Sequence, residues 1–132
     1  MARGKMIFDY MWKNEVSSHV EVDLDALEVK CEEYTTKCWN AVFWKQPHNI
    51  EYLNKFFESR CFPEHRADLD VLLELLGLQQ YNPLDIVKIT RGRMMNDFCW
   101  IRFEGDTAVW DEELGLLTLN GKPIQLEDVV KK

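Results

Sequence analysis

The sequence predicts an α+β fold: a small antiparallel β-sheet, an N-terminal hairpin plus further strands, packed on a cluster of about three helices. Three observations carry this. The first third alternates apolar and polar residues with period two. The middle third carries apolar residues at helical spacing between recognisable caps. The last third returns to short strand-forming runs around a hairpin dipeptide.

The N-terminal run Met6-Ile7-Phe8-Asp9-Tyr10-Met11-Trp12 is rich in strand formers, and Lys13-Asn14-Glu15 supplies a polar turn. Val16, Ser18, Val20, Val22 and Leu24 then alternate with Ser17, His19, Glu21 and Asp23, which predicts a β-hairpin with one buried and one wet face. A third strand is expected at 39–44, closed by Pro47. Residues 25–37 suit either a strand extension or a short helix, through Leu27 and Val29.

Helix begins after Asn49, an N-cap type, with Ile50, Leu53 and Phe57 recurring at helical spacing. It should end near Arg60, because Pro63 forces Phe62 out of the α region. A second helix is expected to restart near Glu64, with Leu69, Leu72, Leu73 and Leu76 as its apolar stripe and Gly77 as its stop. A third follows Asn82, with Pro83 in the first helical position, Asp85 near the positive end of the dipole, and Leu84 and Val87 on its apolar side. Gly92 breaks the pattern. Phe98 to Phe103 reads as a strand and Gly105-Asp106 as a turn. Asn120-Gly121 reads as a hairpin turn, because both residues tolerate positive φ. The expected organisation is one domain over 1–132: mainly β over 1–48, helical over 49–92, and β-rich over 93–132 with a C-terminal extension.

Composition narrows the function classes. Hydrophobic residues are 46% and charged residues 30% of the chain, values of a folded protein rather than a disordered one. The net charge of -7 argues against general nucleic-acid binding, which needs a positive footprint. Solubility is the plain reading of that charge; an acidic surface meeting a basic partner is the sharper one. No apolar run approaches a membrane span. Met1 to Phe8, followed at once by Asp9, does not read as a signal peptide. The expected compartment is the reducing cytoplasm, with Cys31, Cys38, Cys61 and Cys99 as free thiols in or near the core. Neither these cysteines nor His19, His48 and His65 fall at metal-ligand spacing, so no metal site and no cofactor are expected.

Tests for catalytic chemistry return no catalytic residue. The chain has no phosphate-cradling glycine loop and no nucleophile elbow. Arg91-Gly92-Arg93 reads as a helix C-terminus carrying cations that suit the dipole. Cys61 and His65 are separated by the Pro63 kink, which favours a buried thiol over a thiolate–imidazole pair. The carboxylate pairs Asp23/Asp25, Glu32/Glu33, Asp68/Asp70 and Glu112/Glu113 are what 23 acidic residues produce on solvated faces. The five Trp, Trp12, Trp39 and Trp44 among them, either all fill the core or leave at least one partly exposed as a binding anchor.

The order of elements carries a resemblance. Met6 to Asp23, with Trp12 to Val16 at its turn, matches an opening hairpin. Residues 41–47 match a strand ending in proline. Leu53 to Arg60 matches a helix before a proline turn, here Cys61-Phe62-Pro63-Glu64, followed by Arg66. Asn82 to Val87 matches a short helix and Phe98 to Phe103 a closing strand. In this order and texture, residues 6–103 resemble the small N-terminal subdomain of HipA-type Ser/Thr kinase toxins, which also exists as the free-standing HipS antitoxin. The family's leucine-leucine-proline run is replaced by Arg60-Cys61-Phe62-Pro63, residues 106–132 have no counterpart, and the kinase body is missing.

The resemblance implies a non-catalytic antitoxin or regulatory subunit whose protein partner is a HipA-like kinase. Docking would use Trp44, Arg60, Phe62, Pro63 and Arg66. The alternative is a phage or mobile-element inhibitor, such as an acidic anti-CRISPR protein, which requires carboxylates gathered on one face. An enzyme with an unrecognised site, marked by a deep polar pocket, ranks last. A homodimer is compatible with each, since exposed strand edges pair readily.

Overall fold

A computed structural model describes residues 4–34, 41–43, 45–94 and 97–124. Strands β1 (Lys5–Trp12), β2 (Glu15–Asp23) and β3 (Glu28–Glu33) are followed by helices α1 (Ile50–Ser59), α2 (Leu69–Leu76) and α3 (Pro83–Thr90). Strand β4 (Cys99–Phe103) and the short β5 (Val109–Asp111), β6 (Leu116–Leu119) and β7 (Lys122–Pro123) complete the chain. The strands form a four-stranded antiparallel sheet in the order β3-β2-β1-β4 and a three-stranded sheet in the order β5-β6-β7. The expected α+β architecture is present, with the strands divided between two sheets.

Period-two patterning sorts the larger sheet into two faces. Phe8 and Tyr10 on β1, Val20 and Val22 on β2, and Cys99 and Ile101 on β4 are buried against Leu53, Phe56 and Phe57 of α1, Leu72 and Leu73 of α2, and Ile86 and Val87 of α3. Phe8 lies within 5.4 Å of Phe57 and Tyr10 meets Phe56 edge-on at 4.9 Å, so aromatic packing joins sheet to helix. Each such side chain contributes about 1.5–3 kcal/mol on burial.

The opposite face of the sheet is covered at one end by the smaller sheet. Met11 and Trp100 are buried there with Ala108, Trp110 and Leu117. A β-bulge explains why Val16 joins this second core instead of the face of Val20. Tyr10 pairs Ser18 and Met11 pairs Val16, so Ser17 is an extra residue and the side chains beyond it change sides. Simple alternation had placed Val16 with Val20; the inserted residue corrects that.

Local chemistry sets the element ends. Asn49 Oδ1 accepts from Tyr52 N–H at 2.8 Å and Asn82 Oδ1 from Asp85 N–H at 3.3 Å, the caps expected for α1 and α3. Gly77 stops α2 at φ 73°, a conformation that costs glycine little.

Two expectations are corrected. The third strand is Glu28–Glu33, not 39–44. Asp23 Oδ1 accepts from Asp25 and Ala26 N–H, both at 3.0 Å, and turns the chain straight back along β2. Among the described residues of 39–44, Val42 and Phe43 form a bend after Ala41 and are buried in the main core; 39, 40 and 44 lie outside the described residues. Helix α2 starts at Leu69 rather than near Glu64, because residues 63–68 are consumed by turns, with Arg66 N–H bonded to Pro63 O at 3.2 Å and Leu69 N–H to Arg66 O at 3.1 Å.

Candidate protein-docking site

The turn between α1 and α2 gathers four of the five expected binding residues; the fifth, Trp44, lies outside the described residues. The structure divides the four sharply. Arg60, at the C-cap of α1, points inward: its guanidinium donates to Asp97 Oδ2 at 2.8 Å and Oδ1 at 3.0 Å, to Gly92 O at 2.9 Å and to Cys99 O at 3.1 Å. It also stacks over Tyr10 at 5.6 Å from the ring centre. Phe62 is only 1% exposed, within the main core. Neither side chain is presented to a partner. Each instead acts as an anchor for the turn.

Two further bonds hold the turn. Tyr81 Oη donates to Phe62 O at 2.9 Å, and the Cys61 thiol donates to Phe57 O at 3.2 Å and lies 3.5 Å from Pro83 O. Burial, helped by the nearby Glu58 charge, pushes the Cys61 thiol up to about 12. A thiol so protonated is a packing group, not a nucleophile.

What remains exposed is Pro63, Glu64 and His65, with Arg66 half-buried and ion-paired to Asp68 at 2.7 Å. Pro63, Glu64 and His65 rim an open groove of about 780 Å³ between the end of α1 and the approach to α3. Lys55, Glu58 and Glu64 supply charges, while Pro63, Tyr81 and Met94 supply an apolar floor. Burial raises the Tyr81 phenol to about 12, with the Cys61, Glu58 and Glu64 charges adding to the effect. The phenol stays neutral and keeps its bond to the turn throughout the physiological range.

Elsewhere, the expected basic piece Arg91-Gly92-Arg93 is a helix end turned to structural use. Arg91 forks onto Asp106 at 2.6 and 3.1 Å, and Arg93 donates to Asp97 O at 2.6 Å. Of the paired carboxylates, Asp23 caps a turn, Glu32 accepts from Tyr34 Oη at 2.6 Å, Asp68 pairs with Arg66 and Glu112 with Lys13.

One constellation was not expected from the sequence. On the polar face of the larger sheet, Asp9 Oδ1 meets His19 Nδ1 at 2.6 Å while its Oδ2 accepts from Arg102 at 2.9 Å. The Asp9 hydrogen bond raises the His19 pKa, against the opposing effect of burial and with help from Glu21 and Glu32. The far ring nitrogen faces Glu21 at 3.6 Å rather than a hydroxyl or thiol. This is the arrangement of a charged cross-strand row, set by the pairing of Asp9 with both His19 and Arg102. Only the pairing partners of residue 9, which lie 10 and 93 residues away, could have revealed it.

Among the described residues no group of three or more His, Cys, Asp or Glu could hold a metal ion, and no helix is long and apolar enough to cross a membrane. Compared with family models, curated proteins and solved structures, the chain matches none.

Proposed function

We propose that this chain is a non-catalytic protein-binding module of the HipS kind, which docks on a HipA-like Ser/Thr kinase and restrains it. The observation that carries the reading is the pinned inter-helix turn. Arg60 and Phe62 lock it from inside, Tyr81 ties its backbone, and Pro63, Glu64 and His65 are left on the rim of an open groove. A loop already held in one conformation loses little entropy on binding, so more of its contact energy appears as affinity. The docking surface is therefore Pro63, Glu64, His65 and the half-buried Arg66, with Arg60 and Phe62 positioning them.

The nucleic-acid-mimic alternative is less well supported. It needs carboxylates free and gathered on one face, whereas Asp9, Asp97 and Asp106 are each engaged by an arginine of the same chain. Other acids sit on separate elements, such as Glu28 on β3, Glu74 on α2 and Glu113 beyond β5.

The test is titration calorimetry against a HipA-like kinase encoded beside this chain, coupled to a phosphotransfer assay. The expected result is binding with loss of kinase turnover, both reversed by Glu64→Arg combined with His65→Asp, which alter exposed side chains alone. Absence of binding, or binding untouched by the double variant, overturns the proposal.

A further inference from the structure

Strand β3 is the outer strand of the larger sheet, and among the described residues no other strand pairs with its far edge. Its hydrogen-bonding direction can be read. Tyr34 N–H donates to Ser17 O of β2 at 2.8 Å, and successive residues of a strand alternate direction, so Val29, Cys31 and Glu33 turn their N–H and C=O groups outward. The side chains also divide. Lys30 and Glu32 pair with Glu21 and His19 on the polar face, while Val29 and Cys31 pair with Val22 and Val20 on the core face.

We infer that this edge pairs with the same edge of a second copy of the chain, antiparallel and centred on Cys31, so that Lys30 of each copy faces Glu32 of the other. The inference does not rest on the kinase-docking reading and uses a different surface.

Symmetry, charge and the length of strand overlap together select this register. Antiparallel pairing of one edge with itself needs a twofold axis normal to the sheet, which keeps both polar faces on one side. The allowed registers therefore step by two residues. Centred on Lys30, the strands oppose Lys30 to Lys30 and Glu28 to Glu32. Centred on Glu32, they oppose Glu32 to Glu32. Centred on Cys31, they form opposite-charge pairs at Lys30 and Glu32 twice over. The outward amides of Val29, Cys31 and Glu33 each meet an outward carbonyl of the partner strand. Tyr34, 61% exposed, comes opposite Glu28 and diagonal to the Lys30 stem of the other copy.

Charged edges usually guard against pairing. A row of like charges does so in every register; a lysine between two glutamates leaves two complementary, centred on Val29 or on Cys31. Of these the Val29 register overlaps only Glu28 to Lys30 of the strand, whereas the Cys31 register overlaps Val29 to Glu33. Neither a proline nor a bulge interrupts β3. The interface is small, so the dimer is weak and is populated at high protein concentration. At about 0.15 M salt the general repulsion between two acidic chains is screened over roughly 8 Å, while charges in contact are not.

Sedimentation velocity from about 10 µM to about 1 mM tests the inference, with circular dichroism verifying the fold of each variant. The wild type is expected to show a monomer–dimer equilibrium. Lys30→Glu and Glu32→Lys should each weaken it about tenfold or more, because each turns the facing pairs repulsive. An equimolar mixture of the two variants should form a heterodimer, and the double variant Lys30→Glu/Glu32→Lys should regain wild-type association. A wild type that stays monomeric to about 1 mM overturns the inference. So does a dimer that the single variants leave intact, or single variants that fail to complement each other.

Discussion

Replacing Arg60 with Met keeps most of its apolar stem and removes the guanidinium. Asp97 loses a two-pronged partner, and the carbonyls of Gly92 and Cys99 lose donors at 2.9 and 3.1 Å. The Arg60 side chain is 9% exposed and that of Asp97 34%, so the orphaned carboxylate can recover some hydration while the carbonyls recover less. Breaking a buried pair from one side costs about 3–5 kcal/mol, and partial rehydration of Asp97 favours the lower half of that range. For a domain of this size the melting temperature should fall by roughly 10–20 °C. Urea denaturation of Arg60→Met, Asp97→Asn and the double variant closes a double-mutant cycle, with an expected coupling of at least ~1.5 kcal/mol. The cost also depends on pH in a defined direction. Burial works to raise the Asp97 pKa, but the Arg60 hydrogen bonds overcome it and hold the carboxyl below its ordinary value. A depressed folded-state pKa stabilises above the unfolded value and ceases to do so as pH falls through the folded one. The gap between wild type and Arg60→Met should therefore narrow in acid. A loss under about 1 kcal/mol at neutral pH, or strict additivity in the cycle, would refute the anchoring role assigned to Arg60.

Other outcomes follow from single contacts. Gly92→Ala should destabilise more than Gly77→Ala, read as the shift in urea midpoint: both glycines have positive φ, but an added Cβ at 92 would come 2.9 Å from Ile101 Cδ1 and at 77 would meet open space. The His19 pKa, followed by NMR titration of its ring protons, should lie above the ordinary 6.5 and fall in Asp9→Asn. Because its folded value is raised, the stability it contributes is full in mild acid and lost as pH rises through that folded value. Asn14→Asp should weaken the fold at neutral pH by about 1–3 kcal/mol, since a carboxylate cannot donate to Trp110 O as the Asn14 amide does at 2.9 Å. Its deficit relative to wild type should shrink in acid, where the protonated side chain regains a donor.

Features governed by near neighbours were legible in the sequence. Alternation marked the first hairpin, Asn49 and Asn82 marked helix starts, Gly77 marked a stop, and Asn120-Gly121 turned β6 into β7. What escaped was set by distant partners or by a single inserted residue. Ser17 breaks the alternation without any compositional sign, and β5 has three residues, too few for a period. Val42 and Phe43 lie in a run with the composition of a strand, yet the place beside β2 is occupied by β3, which a tight turn delivers first. The turn between α1 and α2 falls at the Pro63 break expected from the sequence. An arginine and a phenylalanine beside a proline read as surface anchors, but Asp97, 37 residues further on, gives Arg60 a reason to be buried.

The Lys13–Asn14 turn has a bearing on the order in which the chain can acquire its structure. Asn14 exchanges both amide bonds with the backbone of Trp110, each 2.9 Å, and Lys13 O accepts from Trp100 Nε1 at 2.6 Å. The hairpin that carries this turn leaves a ribosome well before these partners, which lie 87 and 96 residues further along the chain. Until those residues are made, Met11 and Val16 therefore stand uncovered, on a ribbon that two strands alone stabilise poorly. In the nascent chain this hairpin waits on Trp100 to Leu117, so truncation before Leu117 should leave a chaperone substrate rather than a shorter folded domain.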